Sequence, residues 1–157
     1  MGSSLKLDNI YSPVAGQSNY LATPKQLMNS TMNTMNSTTA IILFAHGSRD
    51  PLWHKPMEAV QAQLAVQAPY TQVECAYLEL STPDLPTAVQ KLVDAGAKTI
   101  SIVPLFLGVG KHAREDLPQL VADLRRQHPQ ITFTLKSAVG EDTRLIALLA
   151  DIAQENP

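Results

Sequence analysis

Cysteine is nearly absent from this chain: Cys75 is the only one among 157 residues. An intramolecular disulfide is therefore excluded, and so are metal sites built from several thiolates. Lying inside an apolar, strand-like stretch, the thiol reads as a buried and inert side chain, and a reducing cytoplasm suits it. Long apolar runs are also missing. None approaches the ~20 residues needed to span a bilayer, and the N-terminus has neither the basic segment nor the apolar core of a secretory signal. The formal net charge is only -2, so the overall balance advertises neither nucleic acid nor an anionic membrane as a partner. These absences predict a soluble, cytoplasmic protein whose basic character, where it matters, is local.

Several catalytic signatures are lacking as well. The chain has no Gly-x-x-x-x-Gly-Lys-Ser/Thr phosphate loop, and Gly108-Val109-Gly110 lacks the third glycine of a dinucleotide fingerprint. Gly47-Ser48 does not extend to the Gly-x-Ser-x-Gly of a nucleophile elbow. Ala45 precedes His46-Gly47, which removes the Arg-His-Gly arrangement of a phosphohistidine enzyme.

What remains is 45% hydrophobic and 17% charged, enough for one ordinary domain with a real core. Residues 1–39 differ in kind. They are rich in Ser, Asn and Thr, carry almost no charge, and contain a degenerate repeat at Met28-Asn29-Ser30-Thr31, Met32-Asn33-Thr34 and Met35-Asn36-Ser37-Thr38. Such a segment buries too little apolar surface to offset its ordering entropy. It reads as a flexible extension, with Met28, Met32 or Met35 as alternative starts. The other reading is an arm that docks on a partner subunit through Ile10, Tyr11, Tyr20 and Leu21.

From residue 40 to 157 the pattern alternates. Strands are expected at about 40–45, 71–80, 98–104 and 131–136. The first is apolar throughout, as when both faces of a sheet are covered. The helices between and after them carry apolar stripes: Met57, Val60 and Leu64; Leu85, Ala88, Val89, Leu92 and Val93; Leu117, Leu120, Val121 and Leu124; and finally Leu145, Leu148, Leu149 and Ile152. Thr82-Pro83 reads as the start of the second helix and Gly96 as its stop. Four β-α units in series predict an α/β fold: a single four-stranded parallel sheet flanked by helices on both faces.

Two histidines stand just past the carboxyl ends of strands, the edge where open α/β sheets bind ligands. His46 closes the run Ala40 to Ala45 and opens the turn Gly47-Ser48-Arg49-Asp50-Pro51. His112 follows the run from Ile100 to Leu107 and is expected in a loop with Gly108 and Gly110. Glu79, near the end of the second strand, shares a face with Tyr77 if strand alternation continues, leaving Leu78 and Leu80 on the other. Two imidazoles and a carboxylate from three strand ends suit a first-row divalent metal with open coordination positions, or general bases. Ser48, Arg49, Lys111 and Arg114 add donors for carboxylates or phosphates. Asp116 either orients an imidazole or caps the following helix. Glu74 reads as a rim residue, and His54 and His128 as solvated.

The segments Leu43-Phe44-Ala45-His46-Gly47-Ser48-Arg49-Asp50-Pro51, Ala76-Tyr77-Leu78-Glu79-Leu80 and Val103-Pro104-Leu105-Phe106-Leu107-Gly108-Val109-Gly110-Lys111-His112-Ala113-Arg114-Glu115-Asp116-Leu117-Pro118 resemble the small class II tetrapyrrole chelatases of the CbiX/SirB, or sirohydrochlorin chelatase, type. The likeness covers about residues 40–153. It implies a lyase that inserts Co2+ or Fe2+, with Ni2+ also compatible, into sirohydrochlorin for cobalamin or siroheme biosynthesis, without an organic cofactor. It implies His46, Glu79 and His112 at the metal, and it gives Arg49, Lys111 and Arg114 acidic substituents to hold. Longer members carry two lobes around one cleft; the short form works as a homodimer, with Leu105, Phe106 and Val109 as lining or interface residues. The alternative is a non-catalytic protein that binds metal or tetrapyrrole on the same scaffold.

Overall fold

In the computed structural model, residues 38–155 are described. The proposed extension, residues 1–39, lies outside them apart from Thr38 and Thr39. Four strands, β1 (Thr39–Ala45), β2 (Gln72–Tyr77), β3 (Thr99–Pro104) and β4 (Thr132–Leu135), alternate with α1 (Lys55–Gln67), α2 (Leu85–Asp94), α3 (Lys111–Gln127) and α4 (Thr143–Gln154). Short 3-10 turns at Pro51–His54 and Val139–Glu141 lead into α1 and α4. All pairings are parallel and the order is β2-β1-β3-β4. The expected α/β sheet is present.

The order, with right-handed crossovers, fixes which face each helix covers. The chain moves one way along the sheet from β1 to β2 and the opposite way from β2 to β3 and on to β4. Right-handed crossovers therefore put α1 on one face and α2 and α3 on the other. The second face is fully dressed: Ile42, Phe44, Ile100 and Ile102 from the strands meet Leu85, Val89 and Leu92 of α2 and Val121 and Leu124 of α3. The first face is thinner, with Leu43, Ala45, Met57 and Tyr77 as its buried residues.

Thin cover on that side corrects two expectations. In α1 only Met57 is buried; Leu64 is half-buried and Val60 is exposed. Its apolar residues are spread around the helix, and it packs chiefly over β2. In α4 no residue is buried: Leu145 is half-exposed and Leu148, Leu149 and Ile152 face solvent. An apolar stripe states that a face needs cover, not that the chain's own sheet supplies it.

Helix α2 starts later than Thr82-Pro83 implies. That peptide bond is cis, and the N-cap is Asp84, whose carboxylate accepts from the Thr87 N–H at 2.9 Å. Gly96, at φ +93°, ends the helix as expected. Hydrogen bonds from Thr87, first from its side chain and then its backbone, hold the Asp84 carboxyl below its ordinary pKa. Its folded pKa is depressed, so the stabilisation is present above the unfolded value and is lost as pH falls through the folded one. Asp84→Ala is expected to cost about 1 kcal/mol near neutral pH. In urea titrations the gap from the parent protein should shrink steadily in acid; an unchanged gap would reject the cap.

Burial pushes the Cys75 thiol above its ordinary pKa. The side chain is only half-buried, with Sγ 3.7 Å from the Gln61 Oε1, so the expected fully buried thiol is corrected to a partly covered one. Glu74 is not a free rim group: it pairs with Lys91 of α2 at 2.6 Å. No helix among the described residues is long and apolar enough to cross a membrane.

Candidate functional site

The carboxyl edge of β1 is tied to that of β2 beyond the last formal strand pair. Leu78 N–H donates to the Ala45 carbonyl at 2.8 Å, and Glu79 N–H donates to the His46 carbonyl at 3.0 Å. The second bond sets the backbones of His46 and Glu79 side by side. Gly47 makes this approach feasible: its φ is +92°, and a Cβ there would overlap the Glu79 carbonyl oxygen. Both functional side chains are exposed.

The alternation expected to run through residue 80 stops at Tyr77. Leu78 and Leu80 are both exposed, and Leu80 has φ +60°. They do not share an inner face opposite Glu79, because the regular ladder ends at Tyr77 and, although Leu78 and Glu79 still donate to β1 carbonyls, the positive φ at Leu80 turns the chain out of the sheet.

Beneath His46 lies Phe106, whose ring centroid is 4.4 Å from the imidazole at 34°. Phe106 is buried and also packs edge-on against Phe44. It belongs to the core, supports the histidine and shows only its edge to the hollow beside it, while Leu105 and Val109 are half-buried. Its loop is fixed from the far side by Gly140, whose N–H donates to the Phe106 carbonyl at 2.9 Å and where a Cβ would overlap Leu107 backbone.

A polar cluster missed by sequence reasoning joins the two loops. The Ser81 hydroxyl donates to the Ser48 carbonyl at 2.8 Å, and the Ser48 N–H donates to Ser81 Oγ at 2.9 Å. The His54 Nε2 lies 3.1 Å from the same oxygen and 3.3 Å from the Ser48 carbonyl. The carbonyl can only accept, so the single hydroxyl hydrogen is committed to it. His54 must bring its own proton, which assigns the Nε2–H tautomer or the imidazolium. Its ring stacks on Tyr77 at 4.9 Å, with Trp53 edge-on to both. His54 is thus half-buried and bonded, not solvated. His128 is also half-buried, at the C-cap of α3 and 6.4 Å from the Phe133 ring. The sequence offers no signal for the His54 cluster, since Ser81 is 27 residues away.

His112 is not in a loop. It is the second residue of α3, which starts at Lys111 behind Gly110 as N-cap and runs through Pro118. Lys111-His112-Ala113-Arg114-Glu115-Asp116 therefore forms the opening turns of a helix, and Asp116 lies inside it, not at its cap. Being the turn that returns the chain from β3, it starts on the same edge as His46 and Glu79. Among the described residues, no three His, Cys, Asp or Glu side chains gather closely enough to hold a metal; the described pair is His46 and Glu79.

The anchors divide similarly. Ser48 Oγ accepts from Asp50 N–H at 3.1 Å, leaving its own hydrogen to donate. Arg49 is exposed. Arg114 lines a hollow of about 130 Å³ with Phe106, Val109, Lys136 and Glu141. That is below the roughly 300 Å³ at which small-molecule pockets begin, and far from enclosing a macrocycle.

A parallel α/β unit whose β1 and β2 carboxyl ends are joined by a backbone bond between His46 and Glu79 places an exposed imidazole and an exposed carboxylate at the edge where open sheets bind ligands. The CbiX family model matches residues 40–156, and the chain belongs to that family. The sirohydrochlorin cobaltochelatase of Methanococcus maripaludis is 33% identical over 82 residues, 52% of this chain and 57% of that protein. The chain thus spans little more than half the length of such curated relatives. The structure of the CbiX protein from Marinobacter aquaeolei VT8 superposes with a TM-score of 0.65 at 32% identity, covering 74% of this chain and 94% of that one. The sirohydrochlorin chelatase SirB from Bacillus subtilis subspecies spizizenii, solved in complex with cobalt, gives a TM-score of 0.64 at 26% identity, covering 74% of this chain and 50% of that one.

Proposed function

We propose that this protein is a sirohydrochlorin chelatase, inserting Co2+ or Fe2+ into the tetrapyrrole, with residues 40–157 as the working unit and residues 1–39 as an extension. The observation that carries the reading is the Glu79–His46 backbone bond across Gly47, which sets the residues that bear an imidazole and a carboxylate side by side at the ligand-binding edge. The relatives' names support it.

Insertion exchanges two pyrrole N–H protons for one divalent ion. His46 and His112 hold the metal while it sheds water and then accept protons; Glu79 supplies negative charge or relays a proton. Ser48, Arg49, Lys111 and Arg114 hold the acidic substituents of the ring. Because His46, Arg49 and Glu79 stand exposed on this edge with nothing among the described residues facing them, the macrocycle needs a second wall. A homodimer in the cytoplasm, with a twofold axis beside the edge, supplies it.

Purified protein, sirohydrochlorin and Co2+ mixed anaerobically should show the absorbance change of metal insertion well above the spontaneous rate. Binding of metal or ring with no acceleration would replace the chelatase with a carrier on the same scaffold.

A further inference from the structure

The two loops that carry His46 and Glu79 are held without apolar anchors. No side chain is buried in residues 46–52 or in residues 78–83, so their placement rests on polar ties. The second loop is closed at its base by the Tyr77 N–H, which donates to the Pro83 carbonyl at 2.9 Å, and Glu79 is tied to His46. What holds the far side of the His46-Gly47-Ser48 turn is Ser81.

One hydroxyl does this with its whole bonding capacity. Ser81 Oγ donates to the Ser48 carbonyl and accepts from the Ser48 N–H, so both backbone groups of one residue end on one atom. Its remaining lone pair faces His54 Nε2 at 3.1 Å. A hydroxyl offers one donor and two acceptor positions, and all three are filled. The same oxygen lies 3.2 Å from where a Gly47 Cβ would stand, against the residue that follows His46. His54 comes from a third element, the end of the 3-10 turn that leads into α1, and its ring stacks on buried Tyr77. The sheet thus reaches the turn through Tyr77, His54 and Ser81 in series.

We propose that Ser81 and His54 are positioning residues for the metal pair. The Ser81 hydroxyl locks the turn that carries His46 against the loop that carries Glu79, and the His54 Nε2–H locks the hydroxyl. This deepens the chelatase reading above, on which it rests for the roles of His46 and Glu79. Both residues act by narrowing the placements open to that pair. Partners of this kind change metal affinity or activity about 10–100-fold.

The test separates these hydrogen bonds from the packing around them. His54→Phe keeps a ring on Tyr77 and removes the donor, whereas His54→Gln removes the ring and offers an amide N–H of similar reach. Ser81→Ala removes the hydroxyl, and because Ser48 is only half-buried, water takes over its backbone groups and the variant folds. With each variant folded by circular dichroism, Co2+ is titrated without tetrapyrrole and insertion is then measured. Ser81→Ala and His54→Phe should each weaken Co2+ binding and lower kcat about 10-fold or more. KM for sirohydrochlorin should barely move, because Lys111 and Arg114 stand on another element. His54→Gln should stay close to the parent in both. Nitrogen-15 spectra at about pH 8.5, where an ordinary imidazole is neutral, should place the His54 proton on Nε2. Parent-like Ser81→Ala, equal losses in the two His54 variants, a loss confined to KM, or a proton on Nδ1 overturns the proposal. A parent protein that binds Co2+ without inserting it ends the chelatase reading and leaves the titrations to decide the positioning role; one that binds no Co2+ overturns both.

Discussion

Gly47→Ala is expected to lose both stability and metal insertion, because one hydrogen atom's worth of space joins the two donors. A non-glycine residue at φ +92° carries about 1–3 kcal/mol of backbone strain by itself. The added methyl would also overlap the Glu79 carbonyl. The β1 and β2 ends must then separate, breaking the Glu79–His46 bond and disturbing the nearby Ser48–Ser81 pair. The total should exceed about 3 kcal/mol in urea unfolding. A displacement of about 1 Å between reacting groups can cost ~100-fold in rate, so insertion should fall at least that far at temperatures where the variant remains folded. Gly96→Ala is the control. It has nearly the same φ, +93°, but open space where the methyl would go, so it should lose only the strain and keep full activity. Equal behaviour of the two variants would show that the close approach at Gly47 does not hold the site.

How far the sequence could be read depended on whether a feature was local. β1 was legible because apolar residues at every position from Ala40 to Ala45 suit a strand covered on both sides, and β3 because its apolar positions Ile100, Ile102 and Val103 follow the helix stop at Gly96. The buried stripe Leu85, Ala88, Val89 and Leu92 fixed α2 in the same way. His46 and Glu79 could be named from their place after such strands. Their joining could not, since it depends on a positive φ at Gly47 and on the register between β1 and β2. The start of α3 was obscured because Gly108, Gly110 and Pro118 resemble loop punctuation, yet the intervening Lys, Ala, Arg and Glu favour helix. α4 shows the opposite limit: its apolar face is plain in the sequence, but no pattern within one chain says which molecule provides the cover. His54 failed for the same reason at smaller scale, because its partners come from two other loops.

His46→Ala and His112→Ala should each lower kcat/KM for Co2+ insertion by about 10²–10⁴-fold, the range of a positioned acid–base group. For His46 the fold should barely notice. The ring is exposed, and its aromatic contact is a tilted one with Phe106, which remains buried against Phe44. Unfolding free energy should therefore change by under about 1 kcal/mol, as for other exposed positions. The double variant separates two chemistries. If both imidazoles act on one metal ion or one proton path, removing the second after the first should cost little, and the losses will not multiply. Independent roles, such as metal at one histidine and an acidic substituent of the ring at the other, would make them multiply. Glu79→Gln keeps the backbone bond to His46 while removing the carboxylate, so it tests that group without disturbing the junction of β1 and β2. A normal rate in Glu79→Gln would leave the imidazoles as the whole of the metal chemistry, and normal rates in both histidine variants would remove this edge as the site.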